Sequence, residues 1–286
     1  MAGTYNDLYL DARRDLKKAG VEQGQLEARE LLQLASGKSR EQLLRDLPLY
    51  PSETVAARFR ELMGRRLAGE PLAYILGEWE FYGLTLDVCP EVLIPRPDTE
   101  TLVERGLVFC RKVAGPVRVL DLCAGSGCVG LALAANRLDS WVVLADWSED
   151  ALRLCRQNIR RTALSMQASV ARANALEPAP ALLQDFDLIL CNPPYIPTDD
   201  IAGLDSSVRN YEPHMALDGG RDGLDFYRAV AAGWKAALRP GGKLIFEIGW
   251  DQSAAVATIL EANGYTDVEC FQDPAGHWRV VEGSVE

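Results

Sequence analysis

Asn192-Pro193-Pro194-Tyr195 is the segment of this chain whose residue types most directly imply a reaction. It follows the apolar run Asp187-Leu188-Ile189-Leu190-Cys191, which reads as a buried strand emptying into a rigid turn. Two prolines restrict the backbone and remove its donors, leaving carbonyl acceptors pointed in fixed directions. The Asn192 side-chain oxygen and the Pro193 carbonyl can then each accept one N–H of a substrate NH2 group, with Pro194 stiffening the turn and Tyr195 packing on the planar face. A nitrogen held in this way presents its face to an electrophile and gains rate from positioning and electrostatics more than from a dedicated base. The substrate group is a planar NH2, as in glutamine, adenine or cytosine.

A second cluster lies upstream. The run Val119-Leu120-Asp121-Leu122 leads into Cys123-Ala124-Gly125-Ser126-Gly127, a turn in which glycine lets the backbone approach a ligand before a helix begins near Cys128. Gly125 to Gly130 also fits GxGxxG, a weak dinucleotide signal on its own. Asp121 argues against a pyrophosphate, because a carboxylate here repels phosphate but suits the cationic amine of S-adenosylmethionine. Asp146 closes the next strand, Trp141 to Asp146, where its two oxygens can accept both hydroxyls of a ribose. Trp147 is placed either to flank the adenine or to pack at the solvent edge. Further on, after the third strand, Asn174-Ala175 offers a side-chain oxygen that can hold an adenine amine, more weakly than an acid would.

The elements that must position these residues alternate. From Val117 onward seven strand-like runs are interleaved with helical stretches, which implies an α/β fold, a doubly wound and mainly parallel sheet covered on both faces. Ligands of such sheets bind beyond the carboxyl ends of the strands, where both clusters lie. Residues 1–72 show apolar residues at helical spacing with breaks near Gly20, Ser36-Gly37 and Pro48 to Pro51, a bundle of about four helices read as a partner-docking domain. Residues 73–97, rich in aromatics and β-branched residues with Pro90, Pro95 and Pro97, read as a β-hairpin linker, and residues 98–286 as the catalytic domain.

Composition narrows the partners. The formal charge is −11, and residues 71–286 carry 18 basic against 30 acidic residues, which weighs against stable binding of nucleic acid. No run reaches the roughly 18 apolar residues needed to span a bilayer, and the first residues lack the order of a secretory signal, so a cytoplasmic protein is expected. Seven scattered cysteines without a CxxC pair, and only two histidines, read as buried free thiols with no metal site.

Taken together the sequence resembles the peptide chain release factor glutamine N5-methyltransferases of the class I, Rossmann-like methyltransferase superfamily. The likeness covers nearly the whole chain and rests on three segments. These are Asn192 to Tyr195, Asp121 to Gly127, and Leu93-Ile94-Pro95-Arg96-Pro97-Asp98-Thr99-Glu100 with Gly77-Glu78-Trp79-Glu80-Phe81-Tyr82-Gly83 upstream. Asn-Pro-Pro-Tyr is shared with adenine-N6 methyltransferases, whereas the Ile-Pro-Arg-Pro-Asp-Thr-Glu segment points to release factors and away from the sister enzymes that methylate a ribosomal protein. The resemblance implies S-adenosylmethionine as methyl donor, S-adenosylhomocysteine as product, and the glutamine of a Gly-Gly-Gln motif in bacterial release factors as substrate. It places the cofactor loop on Cys123 to Gly127, the ribose acid on Asp146 and the amide site on Asn192 to Tyr195. Cys123-Ala124 and Asn174-Ala175 depart from the family's usual residues. Arg96 and Glu100 are candidates for the pocket mouth, with an ion pair fixing the linker as the alternative for Arg96, and Glu247 ends a strand near the same site.

Overall fold

The computed structural model describes residues 3–286. They form two units, the first running to Gly77 and taking in Ser206–Tyr211, the second comprising Glu78–Asp205 and Glu212–Glu286. In the first unit, helices α1 (Tyr5–Lys18), α2 (Gly24–Ser36), α3 (Arg40–Asp46), α4 (Glu53–Leu67) and α5 (Leu72–Leu76) surround a core that includes Leu16, Leu31, Leu32 and Phe59. Their starts are written locally: Thr4 and Asp7 exchange side-chain and backbone hydrogen bonds at the start of α1, and Ser39 and Gln42 do the same for α3. The breaks fall as the spacing predicts. The fifth helix was not legible because its five residues, entered from Pro71 and ended by the left-handed Gly77, are too few for a period to show.

The second unit opens with a hairpin of β1 (Glu78–Phe81) and β2 (Leu84–Asp87). The hairpin is therefore shorter than the expected linker: residues 73–76 complete α5, and residues 88–96 form an irregular segment. Next come α6 (Glu100–Cys110), β3 (Val117–Leu122), α7 (Cys128–Asn136), β4 (Ser140–Asp146), α8 (Glu149–Arg161), β5 (Ala168–Arg172) and β6 (Phe186–Cys191). After a long connection containing α9 (Ser206–Tyr211) follow α10 (Asp225–Gly233), β7 (Leu238–Glu247), α11 (Ser253–Ala262), β8 (Thr266–Gln272) and β9 (Trp278–Ser284).

Strands β3 to β9 make one seven-stranded sheet in the order β5-β4-β3-β6-β7-β9-β8. Strands β3 to β7 run parallel, and β9 is antiparallel to both β7 and β8. Parallel strands are buried on both faces, which explains why β3 and β6 are nearly continuous apolar runs. On one face Leu144 of β4 packs with the helical Leu102, Leu131 and Leu133, and on the other Phe246 of β7 packs with Tyr227, Trp234 and Leu260. Chain order reverses between β3 and β6, so a crevice opens beyond their carboxyl ends. Cys123 and Asn192 are the residues that leave those two strands at that point. Among the described residues no helix is long and apolar enough to cross a membrane.

Candidate active site

The crevice holds a cavity of about 360 Å³. Asp121, Cys123, Ala124, Gly125, Ser126, Asp146, Trp147, Asn174, Ala175, Asn192 and Pro194 all line it. Of the residues singled out in the sequence, Glu100, Gly127, Pro193, Tyr195 and Glu247 lie outside the lining. Gly127 instead starts α7 at φ 80°, where a Cβ would come within 2.9 Å of Leu144. Pro193 is buried and Tyr195 half-buried, with the Tyr195 carbonyl accepting from Gln252 Nε2 at 2.9 Å.

The loop after β3 is held from several sides. Cys123 and Gly125 both adopt positive φ, 63° and 56°, so Cys123 bears a conformation that ordinarily favours glycine. The Ala124 amide donates to the Ala145 carbonyl at 3.0 Å, and the Gly125 amide donates to Asp146 Oδ2 at 2.9 Å. Asp146 Oδ1 accepts from the Ser148 amide at 2.9 Å, which also sets the start of α8. The expected ribose acid thus ties the two strand ends together while each oxygen keeps a further lone pair. Asn158 of α8, fully buried, donates to the Ser126 and Asp87 carbonyls at 2.9 and 3.0 Å and accepts from the Asp87 amide at 2.7 Å. It joins the loop to the hairpin. Sequence reasoning missed it, since an Asn inside an amphipathic helix carries no signal of its distant partners.

Asp121 is 2% exposed, and its Oδ2 accepts from the Gly130 amide at 2.8 Å. Burial pushes its carboxyl up to about 7, with that one amide pulling the other way. Burial likewise raises Asp146, against the amides of Gly125, Ser148 and Trp147. Trp147 lies at the rim with the Arg172 guanidinium 4.3 Å from its ring centroid. Asn174 lines the cavity from a local turn: its Oδ1 accepts from the Leu176 amide at 3.1 Å, which leaves one lone pair, and its Nδ2 donates to Glu177 at 3.2 Å. Beside this local turn the buried Ala173 and Ala175 supply flat apolar lining.

The segment Ile94 to Glu100 acts as a clasp. The Ile94 amide and the Arg96 guanidinium both reach the buried Glu212 carboxylate, so Arg96 makes an ion pair and lines the cavity as well. Asp98 pairs with Arg279 at 3.1 Å, and Glu100 accepts from the Tyr82 amide at 3.0 Å rather than shaping the mouth. Thr99 Oγ1 accepts from Asn192 Nδ2 at 3.4 Å. This turns the nitrogen of the Asn192 side chain onto the clasp and leaves the oxygen on its other branch. Burial raises the Tyr195 phenol to about 12, so it stays protonated at neutral pH.

All seven cysteines are free, with Cys89, Cys123 and Cys270 only half-buried.

A reversing parallel sheet with an antiparallel β9 inserted beside β7, an acid at the end of β4 and Asn-Pro-Pro-Tyr at the end of β6 define a class I methyltransferase fold. The catalytic domain of hMettl16, solved with the MAT2A 3′UTR hairpin 6, shares that fold with a TM-score of 0.58 at 19% identity, covering 79% of this chain and 82% of that one. Residues 7–77 match the PrmC N-terminal domain, and residues 107–203 match the methyltransferase small domain. The release factor glutamine methyltransferase of Geobacter sulfurreducens is 43% identical over 272 residues, covering 94% of this chain and 93% of that protein. That of Caulobacter vibrioides is 37% identical over 273 residues, 95% of this chain and 93% of its own. The chain belongs to the release factor glutamine methyltransferase family.

Proposed function

We propose that this enzyme transfers a methyl group from S-adenosylmethionine to the side-chain amide nitrogen of the Gly-Gly-Gln glutamine in a peptide chain release factor. The observation that carries the reading is the pose of Asn192: its Nδ2 is spent on Thr99, so its oxygen is the group left to accept an N–H in the cavity. The residues present suit the donor. Two carboxylates, Asp121 and Asp146, stand among mostly apolar walls, a combination that favours a cationic ligand bearing hydroxyls over a phosphate. When bound, the donor supplies an electrophilic methyl on a sulfonium.

The chain's own contribution is orientation. Asp121 sits where it would attract the ammonium group, and Asp146 where its spare lone pairs would meet the ribose. Trp147 would flank the adenine from the rim, with Ala173 and Ala175 on the floor. Asn192, which lines the cavity, would accept one N–H group of the substrate amide, and the carbonyl of Pro193, buried behind the lining, would take the second once the substrate is seated. Held in this way, the amide nitrogen would take the methyl group that the bound donor supplies, S-adenosylhomocysteine would be left as product, and one N–H proton would pass to solvent water. Two aligned acceptors favour the geometry in which positive charge grows on that nitrogen. The helical first unit would dock the body of the factor.

The test is methyl transfer to a purified release factor, with duplex DNA and ribosomal proteins as competing acceptors. Replacing Asn192 by Ala is expected to lower kcat by about 100- to 1,000-fold, the loss typical of one oriented hydrogen-bonding group. Undiminished transfer by that variant would contradict the site.

A further inference from the structure

Glu247 closes β7 next to the site and has no part in the reading above. Cys191 pairs with Phe246 across the parallel strands β6 and β7, so Asn192 and Glu247 are the next residues along neighbouring strands and emerge at the same end of the sheet. Glu247 is 2% exposed, and its Oε2 is buried without a hydrogen-bond partner. Thr99, itself the acceptor of the Asn192 Nδ2 bond, and Asn192 both act on its carboxyl, favouring the charged form against the burial that raises its pKa. A buried carboxyl with an unmet oxygen costs stability, and an apolar residue would pack there at lower cost.

The difficulty it resolves is the ambiguity of an amide. The oxygen and nitrogen of Asn192 exchange places on a half-turn of the side chain, and the wrong pose would aim donors at a substrate NH2 that needs acceptors. Thr99 cannot fix the pose by itself, because a hydroxyl both donates and accepts. A carboxylate only accepts. Once the Thr99 O–H is committed to Glu247, the Thr99 oxygen is left as an acceptor, and both neighbours of Asn192 then demand its NH2.

We propose that Glu247 and Thr99 form a positioning pair that locks the Asn192 side chain with its oxygen toward the substrate amide. This rests on the proposed role of Asn192 and adds the residues that act through it.

One consequence is a dependence on pH. Burial holds the Glu247 carboxyl up at about 7, with Thr99, Arg279 and Asn192 lowering it and Asp98 raising it. The other titratable groups facing it are Tyr195 beyond β6, Tyr227 on α10 and Cys128 on α7. Protonated, Glu247 becomes a donor and the ambiguity returns. Transfer at saturating cofactor should therefore rise with pH through about 7 and lose that rise in Glu247→Gln.

The decisive experiment compares Thr99→Ser with Thr99→Val in single-turnover methyl transfer to a release factor by the full chain, with cofactor affinity measured alongside. Valine keeps the shape and loses the hydroxyl, whereas serine keeps the hydroxyl and loses a methyl, so a packing role favours valine. The expected result is a rate within about threefold of wild type for serine and about 10- to 100-fold lower for valine, with cofactor affinity unchanged in both, as for loss of a charge-assisted hydrogen bond. Glu247→Ala should match valine; if it fails to fold, the threonine pair still decides. A valine enzyme as fast as the serine one, or a defect confined to cofactor affinity, would overturn the proposal. Wild-type transfer to the factor alongside an unaffected Thr99→Val would reject the positioning pair alone. A wild type that left the factor unmethylated would reject the functional reading and the pair with it.

Discussion

Two buried carboxyls, Asp121 and Glu247, set how this enzyme answers to pH. Asp121 ionises near 7 in the fold against an ordinary 3.8, and Glu247 near 7 against 4.5. Between those values the folded protein holds protons that the unfolded chain has released, so stability falls as pH rises through the window, and both penalties are fully present above about 7. At about 1.36 kcal/mol per pH unit, the cost is at most about 4 kcal/mol for Asp121 and about 3 kcal/mol for Glu247. Asp121→Asn is accordingly expected to raise stability at pH 8 by about 2–3 kcal/mol while leaving it little changed near pH 4, read from urea unfolding midpoints. The same substitution should weaken cofactor binding, since the ammonium loses its carboxylate. Asp121, Asp146 and Asn192 were legible as residues because acids and amides at strand ends have few other uses. Thr99 was not: its hydroxyl acquires meaning only when Asn192 and Glu247, far along the chain, arrive beside it. For Asn174 the sequence did not show that its partners lie only two and three residues away, in a turn beside the cavity.

Among the elements, α7 shows how closely the cofactor loop is fitted to the sheet. A Cβ on Gly130 would lie 2.9 Å from Val142 and 3.0 Å from the Asp121 side chain, and closer still to Leu144. Gly130→Ala should therefore destabilise the protein by about 1–3 kcal/mol, as overpacking does, and should weaken the cofactor site through Asp121. A melting temperature equal to wild type would show that the strands can yield. The alternation of strands and helices was readable because buried parallel strands are apolar throughout and each is followed by a helix of its own. In the clasp from Ile94 to Glu100, the ion pair considered for Arg96 is formed, but its partner was not readable. Glu212 and Arg279, which hold Arg96 and Asp98, lie more than a hundred residues downstream, and no local pattern announces an ion pair made by the fold.

For the whole molecule, an acidic catalytic unit and a helical first unit suit a folded protein substrate better than a polyanion. In the first unit Leu49 and Tyr50 stand 56% and 74% exposed between α3 and α4, an adjacent apolar pair with no burial to explain it. If that unit docks the factor, replacing both by Asp and Ser should raise KM for the factor by about tenfold with kcat unchanged, the loss of roughly 1.4 kcal/mol of uniform binding. Unaltered KM would move docking to another surface. The central claim, that the Asn192 site methylates an amide nitrogen, is tested most directly by locating the product. Labelled methyl from S-adenosylmethionine should appear on the Gly-Gly-Gln glutamine of a release factor, and should vanish both in Asn192→Ala enzyme and in a factor lacking that glutamine. Label retained in either variant, or found on DNA instead, would contradict the account.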